Sequence, residues 1–438
     1  MAGVINTICN VIIITFTVAM VLHGIYYVAT AMQSFRKIPK IPKREPQLRM
    51  AIIIPSRNEE RVVGNLVDSL KRQNYPKELY DIIVVPNNCT DNTKGVALEH
   101  GAKVMDCTVP VKSKGEVLKF VFEKMLTDEP IHYDAFCVFD SDNVVDPEFL
   151  QAMNDAFLNG ARITQAYRDT KNPSDTWVSS CHSIYYYTIN GFFNRARMAM
   201  KWSGALNGTG FGIRRDYLEK YGFDTYTLTE DLEYTAQAAC VPGELVTWVP
   251  DAITYDEHPL TLKESWKQRS RWTTGTIQCF FRYFGKLFTV GIKGGSASID
   301  MLVLFSAPIM QILGLLPFIA IIVNAIVSKP SAEWWTTVAI TGVVTMVLFY
   351  LFTVIFTWFV VKTEKKDPKL FLKGIFSFSL FLATWMPIAV LAIIKPNFEW
   401  KPMYHTRNIT LDDIMGTSNA NKQDDTEEHE GLKEPVQL

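Results

Sequence analysis

A chain of 438 residues with a formal net charge of −1 lacks the basic excess of a nucleic-acid binder. Its hydrophobic residues, 48% of the whole, are concentrated in runs at 8–31, 300–327, 335–361 and 370–394. Each run exceeds the roughly 20 residues that cross a bilayer core of about 30 Å, whereas 50–270 holds none, so a charged domain is inserted after the first span of a multi-pass membrane protein.

The first run lacks a basic leader and a small-residue cleavage site, which reads as a retained anchor and not a removed signal peptide. Arg36, Lys37, Lys40, Lys43, Arg44 and Arg49 follow it, interleaved with Pro39, Pro42 and Pro46. Positive flanks stay on the cytoplasmic side, so the N-terminus is expected outside and the inserted domain inside. Lys362, Lys365, Lys366, Lys369 and Lys373 form a second inside cluster between the third and fourth runs. Lys395, Lys401 and Arg407 flank the last run and also look like an inside segment, at odds with three full C-terminal crossings; a last run broken near Pro387, or re-entrant, reconciles the two. Seven cysteines without a CxxC pair fit reduced, separately buried thiols, not a disulfide framework or zinc site.

The inserted domain opens with a strand, Met50-Ala51-Ile52-Ile53-Ile54, then a helix with Val62, Val63, Leu66, Ser69 and Leu70 at amphipathic spacing. Asp81–Val85 is a second strand closed by Pro86-Asn87-Asn88, and Ala102–Met105 a third. After Lys112-Ser113-Lys114-Gly115 a helix to about residue 127 leads to a buried strand, Ala135–Phe139. This alternation calls for an α/β fold with a mostly parallel sheet and right-handed crossovers. Residues 176–200 read as a long aromatic helix, and the glycine-rich turn Leu206–Gly212 lacks the spacing and the Lys-Ser/Thr of a P-loop. Residues 263–290, mixing Trp266, Trp272, Phe280, Phe281 and Phe284 with Lys and Arg, suit a helix lying in the membrane interface. The acidic tail after about Gly416 reads as disordered.

Three short motifs carry the chemistry. Asp140-Ser141-Asp142 sits just past a buried strand, where α/β sheets open their ligand crevice; both carboxylates suit one hard divalent cation, or serve merely as turn formers. Thr229-Glu230-Asp231 starts a helix, where Thr229 suits a cap and the acids suit the positive end of the dipole. Gln268, Arg271 and Trp272 share one helical face, able to hold a diphosphate and stack on a sugar, or to snorkel at the headgroups.

In this order and beside membrane spans, the motifs resemble the D, DxD, TED, QxxRW pattern of membrane-integrated family 2 glycosyltransferases: chitin-oligosaccharide, hyaluronan and cellulose synthases and ceramide glucosyltransferase. The resemblance covers roughly residues 50–275. It implies a GT-A catalytic domain at 50–262 after an anchor at 1–34 and a basic linker at 35–49. Amphipathic interface helices at 263–297, a membrane region at 298–396 and a polar tail at 397–438 follow. It further implies that Pro55, Arg57, Glu59, Lys114, Asp140, Gln268 and Arg271 meet the nucleotide-sugar donor, and that Asp140 and Asp142 bind Mg²⁺ or Mn²⁺. Asp231, with Glu230 beside it, is the implied catalytic base, and Trp272, Gly208 and Thr209 line the acceptor mouth. Asn87 stands where the family usually carries Asp, which leaves the nucleotide open although a UDP-linked donor is expected.

The expected activity is inverting, metal-dependent transfer to a growing polysaccharide or oligosaccharide at the plasma membrane, with possible translocation. Its alternative is single-sugar transfer to a membrane lipid. A transporter with a nucleotide-binding regulatory domain is remote, because the apolar runs hold almost no charge.

Overall fold

The computed structural model describes residues 1–128, 130–328, 331–395 and 409–416. The acidic tail expected to be disordered, and Lys401 and Arg407, lie outside the described residues.

Helix α1 (Ala2–Ala31) is followed, after the basic linker, by β1 (Met50–Ser56), α2 (Val63–Lys71), β2 (Tyr80–Pro86), α3 (Thr93–Glu99) and β3 (Lys103–Val104). Then come α4 (Lys114–Thr127), β4 (Ala135–Val138), β5 (Val144–Val145), α5 (Phe149–Leu158) and β6 (Ile163–Thr170). The expected long helix at 176–200 is α6 (Trp177–Thr188) and α7 (Arg195–Met200), joined by a π-helical turn at Ile189–Asn194. After β7 (Phe211–Arg214), α8 (Arg215–Tyr221), α9 (Glu230–Ala239) and β8 (Val246–Asp256) complete the inserted domain.

The eight strands run in the order β3-β2-β1-β4-β7-β6-β8-β5. The first four pair in parallel, as do β6 and β8, while β7 is antiparallel to both β4 and β6. Side chains alternate across a strand, so Ile52 and Ile54 join the core beneath α2 and α5 while Ala51 and Ile53 join the core beneath α4 and α8. Strands β6 and β8 escape the sequence reading because their pairing is non-local. Their register slips between Ala166 and Tyr167, and the extra residues of β8 let its end bring Asp256 back to the sheet's C-terminal crevice.

Helix α10 (Leu262–Ile292) opens with a capping box in which Thr261 and Glu264 satisfy each other's backbone N–H groups. Its first half faces the domain, while Phe281, Phe284, Phe288 and Ile292 form an exposed apolar stripe on its second half. The apolar helices that follow, candidate membrane helices by length and composition, are α11 (Ser296–Leu313), α12 (Leu315–Ser328), α13 (Ala332–Thr363), α14 (Leu372–Ala383) and α15 (Trp385–Ile394). With α1 they make, among the described residues, four stretches long and apolar enough to cross a bilayer: Ala2–Phe35, Ser296–Ser328, Ala332–Thr363 and Pro368–Ile394.

Two of these stretches break three residues before a proline, at Gly314 before Pro317 and at Thr384 before Pro387, because proline cannot donate to the carbonyl four residues back. The fourth stretch does not stand apart like α13. Gly374 abuts Ser180 on α6, and the Ser180 hydroxyl donates to the Phe371 carbonyl. Arg269 of α10, fully buried, donates to the Phe381 carbonyl at 3.1 Å and to the Thr384 hydroxyl at 2.7 Å. Beyond it, Asp412 forms a bidentate pair with Arg72 at the end of α2, so residues 409–416 return to the inserted domain. The seven cysteines are free, and five of them are buried.

Candidate active site

One cavity of about 870 Å³ opens at the C-terminal ends of β1, β2 and β4 and runs to the membrane helices. Its near end is lined by Pro55, Arg57, Glu59, Asn87, Lys114, Asp140 and Asp142, its middle by Gly208, Glu230, Asp231, Gln268, Arg271 and Trp272. Every residue expected from the motifs lies on this wall except Thr209. That residue is wholly buried beneath the acidic loop, where its hydroxyl accepts from the Asp140 N–H at 3.0 Å and donates to Asn143.

The loop after β4 is held on three sides. Ser141 shares a 2.7 Å hydroxyl contact with Ser56 at the end of β1, Asn143 donates to Asp256 at 2.7 Å, and Thr209 supports it from below. Gly208 and Gly210 have φ of +86° and +61°, the left-handed region where a side chain strains the backbone. A Cβ on Gly208 would also point at Asp231 Oδ2, 3.5 Å away, and so would narrow the cavity where Asp231 faces it.

Lys114 sits in the first turn of α4, where the helix dipole disfavours a cation. Its ammonium donates to Asp140 at 2.5 Å and to the Gly208 carbonyl at 2.6 Å, with Glu230 at 3.9 Å. Burial opposes its charge, but Asp140, Glu230 and Asp231 outweigh that and hold its pKa above the ordinary lysine value. Thr229 forms no side-chain cap on α9, so the capping role read from the sequence is not the one the structure gives it. Burial pushes Glu230 up to about 7, with Lys114 pulling down and Asp231 pushing up. Burial raises Asp231 as well, against its Leu232 N–H bond and the charges of Lys114, Arg271 and Arg168. Two adjacent carboxyls titrate as a pair, and burial holds both above the ordinary carboxylate range.

The motifs gave no hint of Arg168, Asp256, His258 or Tyr186. Arg168 on β6 pairs with Asp256 at the end of β8, donates to the Asn207 carbonyl, and lies 4.1 Å over the Tyr186 ring. The His258 ring stacks on Tyr186 at 5.4 Å and 9°, and its Nε2 has no partner. Burial, His182 and Arg168 push its pKa well below the ordinary value, so this imidazole is neutral. The β6–β8 register brings Arg168 beside the end of β8, α6 lays Tyr186 against them, and no local pattern reports either. Trp272 stands among Tyr185, Tyr186 and His182, with Tyr185 stacked at 16°.

No group of three or more His, Cys, Asp or Glu among the described residues suffices by itself for a metal ion. Two carboxylates on one cavity wall nevertheless fit a divalent cation whose shell a bound diphosphate completes.

Residues 46–275 match the model of a family described as glycosyltransferase like family 2. Among curated proteins, the chain is 28% identical over 274 residues to "Probable glycosyltransferase YdaM" of Bacillus subtilis, covering 59% of this chain and 62% of that one. It is 24% identical over 245 residues to a beta-monoglucosyldiacylglycerol synthase of Nostoc sp., covering 54% and 50%. The match thus spans about half to three-fifths of these relatives. Among solved structures, the mannosyltransferase PcManGT of Pyrobaculum calidifontis, in complex with GDP-Man and Mn²⁺, superposes with a TM-score of 0.56 over 88% of this chain and 99% of that one, at 14% identity. At that identity the likeness is one of fold.

Proposed function

We propose that this chain, which belongs to the glycosyltransferase-like family 2 and is a nucleotide-sugar glycosyltransferase, works by direct inverting displacement at the centre of this cavity. The observation that carries the reading is the meeting of Lys114 and Asp140 with the buried Glu230 and the half-buried Asp231 on one wall. Arg57, Glu59 and Asn87 sit at the nucleotide end. The Asn87 amide N–H₂ donates to the Ser56 carbonyl at 3.0 Å, which leaves its carbonyl as an acceptor for a base N–H, so the missing charge costs no acceptor. That suits a uridine or a guanosine nucleotide alike. Lys114 and Arg271 stabilise the departing diphosphate, and Asp231, ionised, takes the acceptor hydroxyl proton as that oxygen attacks the anomeric carbon. A divalent cation held by Asp140 and Asp142 would add charge neutralisation on the same diphosphate. The basic linker beside α1 supports a catalytic domain on the cytoplasmic face of the cell membrane.

Two acceptors suit these steps, a growing glycan and a membrane lipid. The apolar far wall of the cavity favours the lipid over the polymer expected from the sequence. Calorimetric titration with UDP and GDP, with and without Mn²⁺, tests the donor end: Asp142→Asn is expected to abolish the metal-dependent part of the affinity while leaving the fold intact. Metal-enhanced binding of undiminished strength in that variant would remove Asp142 from the site.

Because Asp231 acts ionised and its pKa is raised, kcat/KM should climb with pH along an acid limb above the usual carboxylate range. Glu230→Gln removes the neighbouring negative charge, eases ionisation of Asp231, and is expected to move that limb to lower pH. An unmoved limb would show that the pair does not share its titration.

A further inference from the structure

Resting on the transfer reaction above, we propose that the membrane-side end of the cavity is a lipid-tail site. The acceptor is then a hydroxyl-bearing membrane lipid whose head meets Asp231 and whose apolar chain lies along α11 and α15. That end is walled by Leu304, Ala307 and Pro308 of α11, Leu382 of α14 and Trp385 of α15, with Gln311 as its polar side chain. Its depth follows from where α1 meets α11 and α12. Tyr26 of α1 donates to Asp300 near the start of α11 at 2.7 Å, and a Cβ on Gly314, at the join of α11 and α12, would meet Met20, so α11 leads from beside Tyr26 towards Met20.

On that stretch of α1, Val21, Leu22 and Ile25 are exposed, which in a spanning helix means exposed to hydrocarbon. The buried Arg197–Asp300 pair, at 2.9 Å, lies one turn before Leu304. From Leu304 to Gln311 the cavity wall then climbs two further helical turns, about 10 Å, at bilayer depth.

A passage for sugars at this depth would need many hydrogen-bonding groups, since each buried hydroxyl left unpaired is costly. This wall offers few. Pro308 has no N–H, so the Leu304 carbonyl lacks its helical donor, and Gln311 lies one turn beyond Pro308. A carbonyl and an amide in an apolar wall match one polar junction between a lipid head and its tail.

The test uses the full-length protein, radiolabelled UDP- and GDP-hexoses, and two kinds of vesicle: total lipid extract of the expression host, and pure phosphatidylcholine, which offers no hydroxyl. Label is expected in a chloroform-soluble single-sugar lipid with the extract and not with phosphatidylcholine. Ala307→Phe should raise the KM for lipid about 10-fold or more, and Gln311→Leu about 3–10-fold, with the nucleotide Kd of both unchanged. Label in a water-soluble or insoluble polymer, or an unchanged lipid KM in both variants, would overturn the lipid site. Nucleotide release without a lipid product sinks this inference alone, whereas no release from any donor in either vesicle overturns the transfer reaction itself.

Discussion

Asp231→Asn is expected to lower sugar transfer by about 10²–10⁴ while leaving donor affinity within a few-fold of the parent. That loss corresponds to about 3–5 kcal/mol of transition-state stabilisation. The asparagine carbonyl can still accept the Leu232 N–H that Asp231 now accepts at 2.8 Å, so the local geometry survives and only the proton acceptor is lost. Asp231 is suited to the role because Lys114, Arg271 and Arg168 keep a buried carboxylate from being protonated outright, while burial leaves it more basic than an exposed one. Single-turnover transfer and nucleotide titration on the same preparation separate the two quantities. A variant that transfers at the parental rate would pass the base to Glu230 or to water. Equal losses in affinity and rate would instead make Asp231 a donor-binding group.

Much of the site was legible because its parts lie at strand ends and helix starts, where local signals are strong. The buried run Ala135–Phe139 announces the position of Asp140, and the amphipathic stretch from residue 263 announces the helix that carries Gln268, Arg271 and Trp272. Arg168, Asp256 and His258 were not legible, since β6 pairs with β8 across some eighty residues and only that pairing puts the three on the cavity wall. The fourth apolar run, legible as a candidate span, carries a second role that hydropathy does not report: Phe371, Ile375, Phe378 and Phe381 pack against Cys181, Ile184 and Tyr187 of the catalytic domain. Thr384 divides this run into α14 and α15, three residues before Pro387. Thr209, which the resemblance puts at the acceptor mouth, is instead the buried prop of the acidic loop.

Lys114→Met should cost about 10²–10³ in kcat, the range seen when one preorganised donor to a developing charge is removed. Methionine keeps the length and apolar stem of lysine, so the substitution isolates the ammonium. In the parent that ammonium holds Asp140, the Gly208 carbonyl and, more distantly, Glu230 around a single positive charge. When a diphosphate enters, Asp140 can release the ammonium to it without leaving a buried cation unpaired, so the charge is already in place and need not be carried in from water. Removing it leaves Glu230 and Asp231 without their nearest shared cation, and the pKa of both should rise further, because Lys114 now lowers each of them. The acid limb of the rate profile is therefore expected to move to higher pH in Lys114→Met, opposite to its movement in Glu230→Gln. The two shifts in opposite directions distinguish an electrostatic role from a structural one, since a merely misfolded site would lose rate at every pH alike. A Lys114→Met enzyme with a full loss of rate and an unmoved limb would place the ammonium in support of the loop and away from the reacting charges.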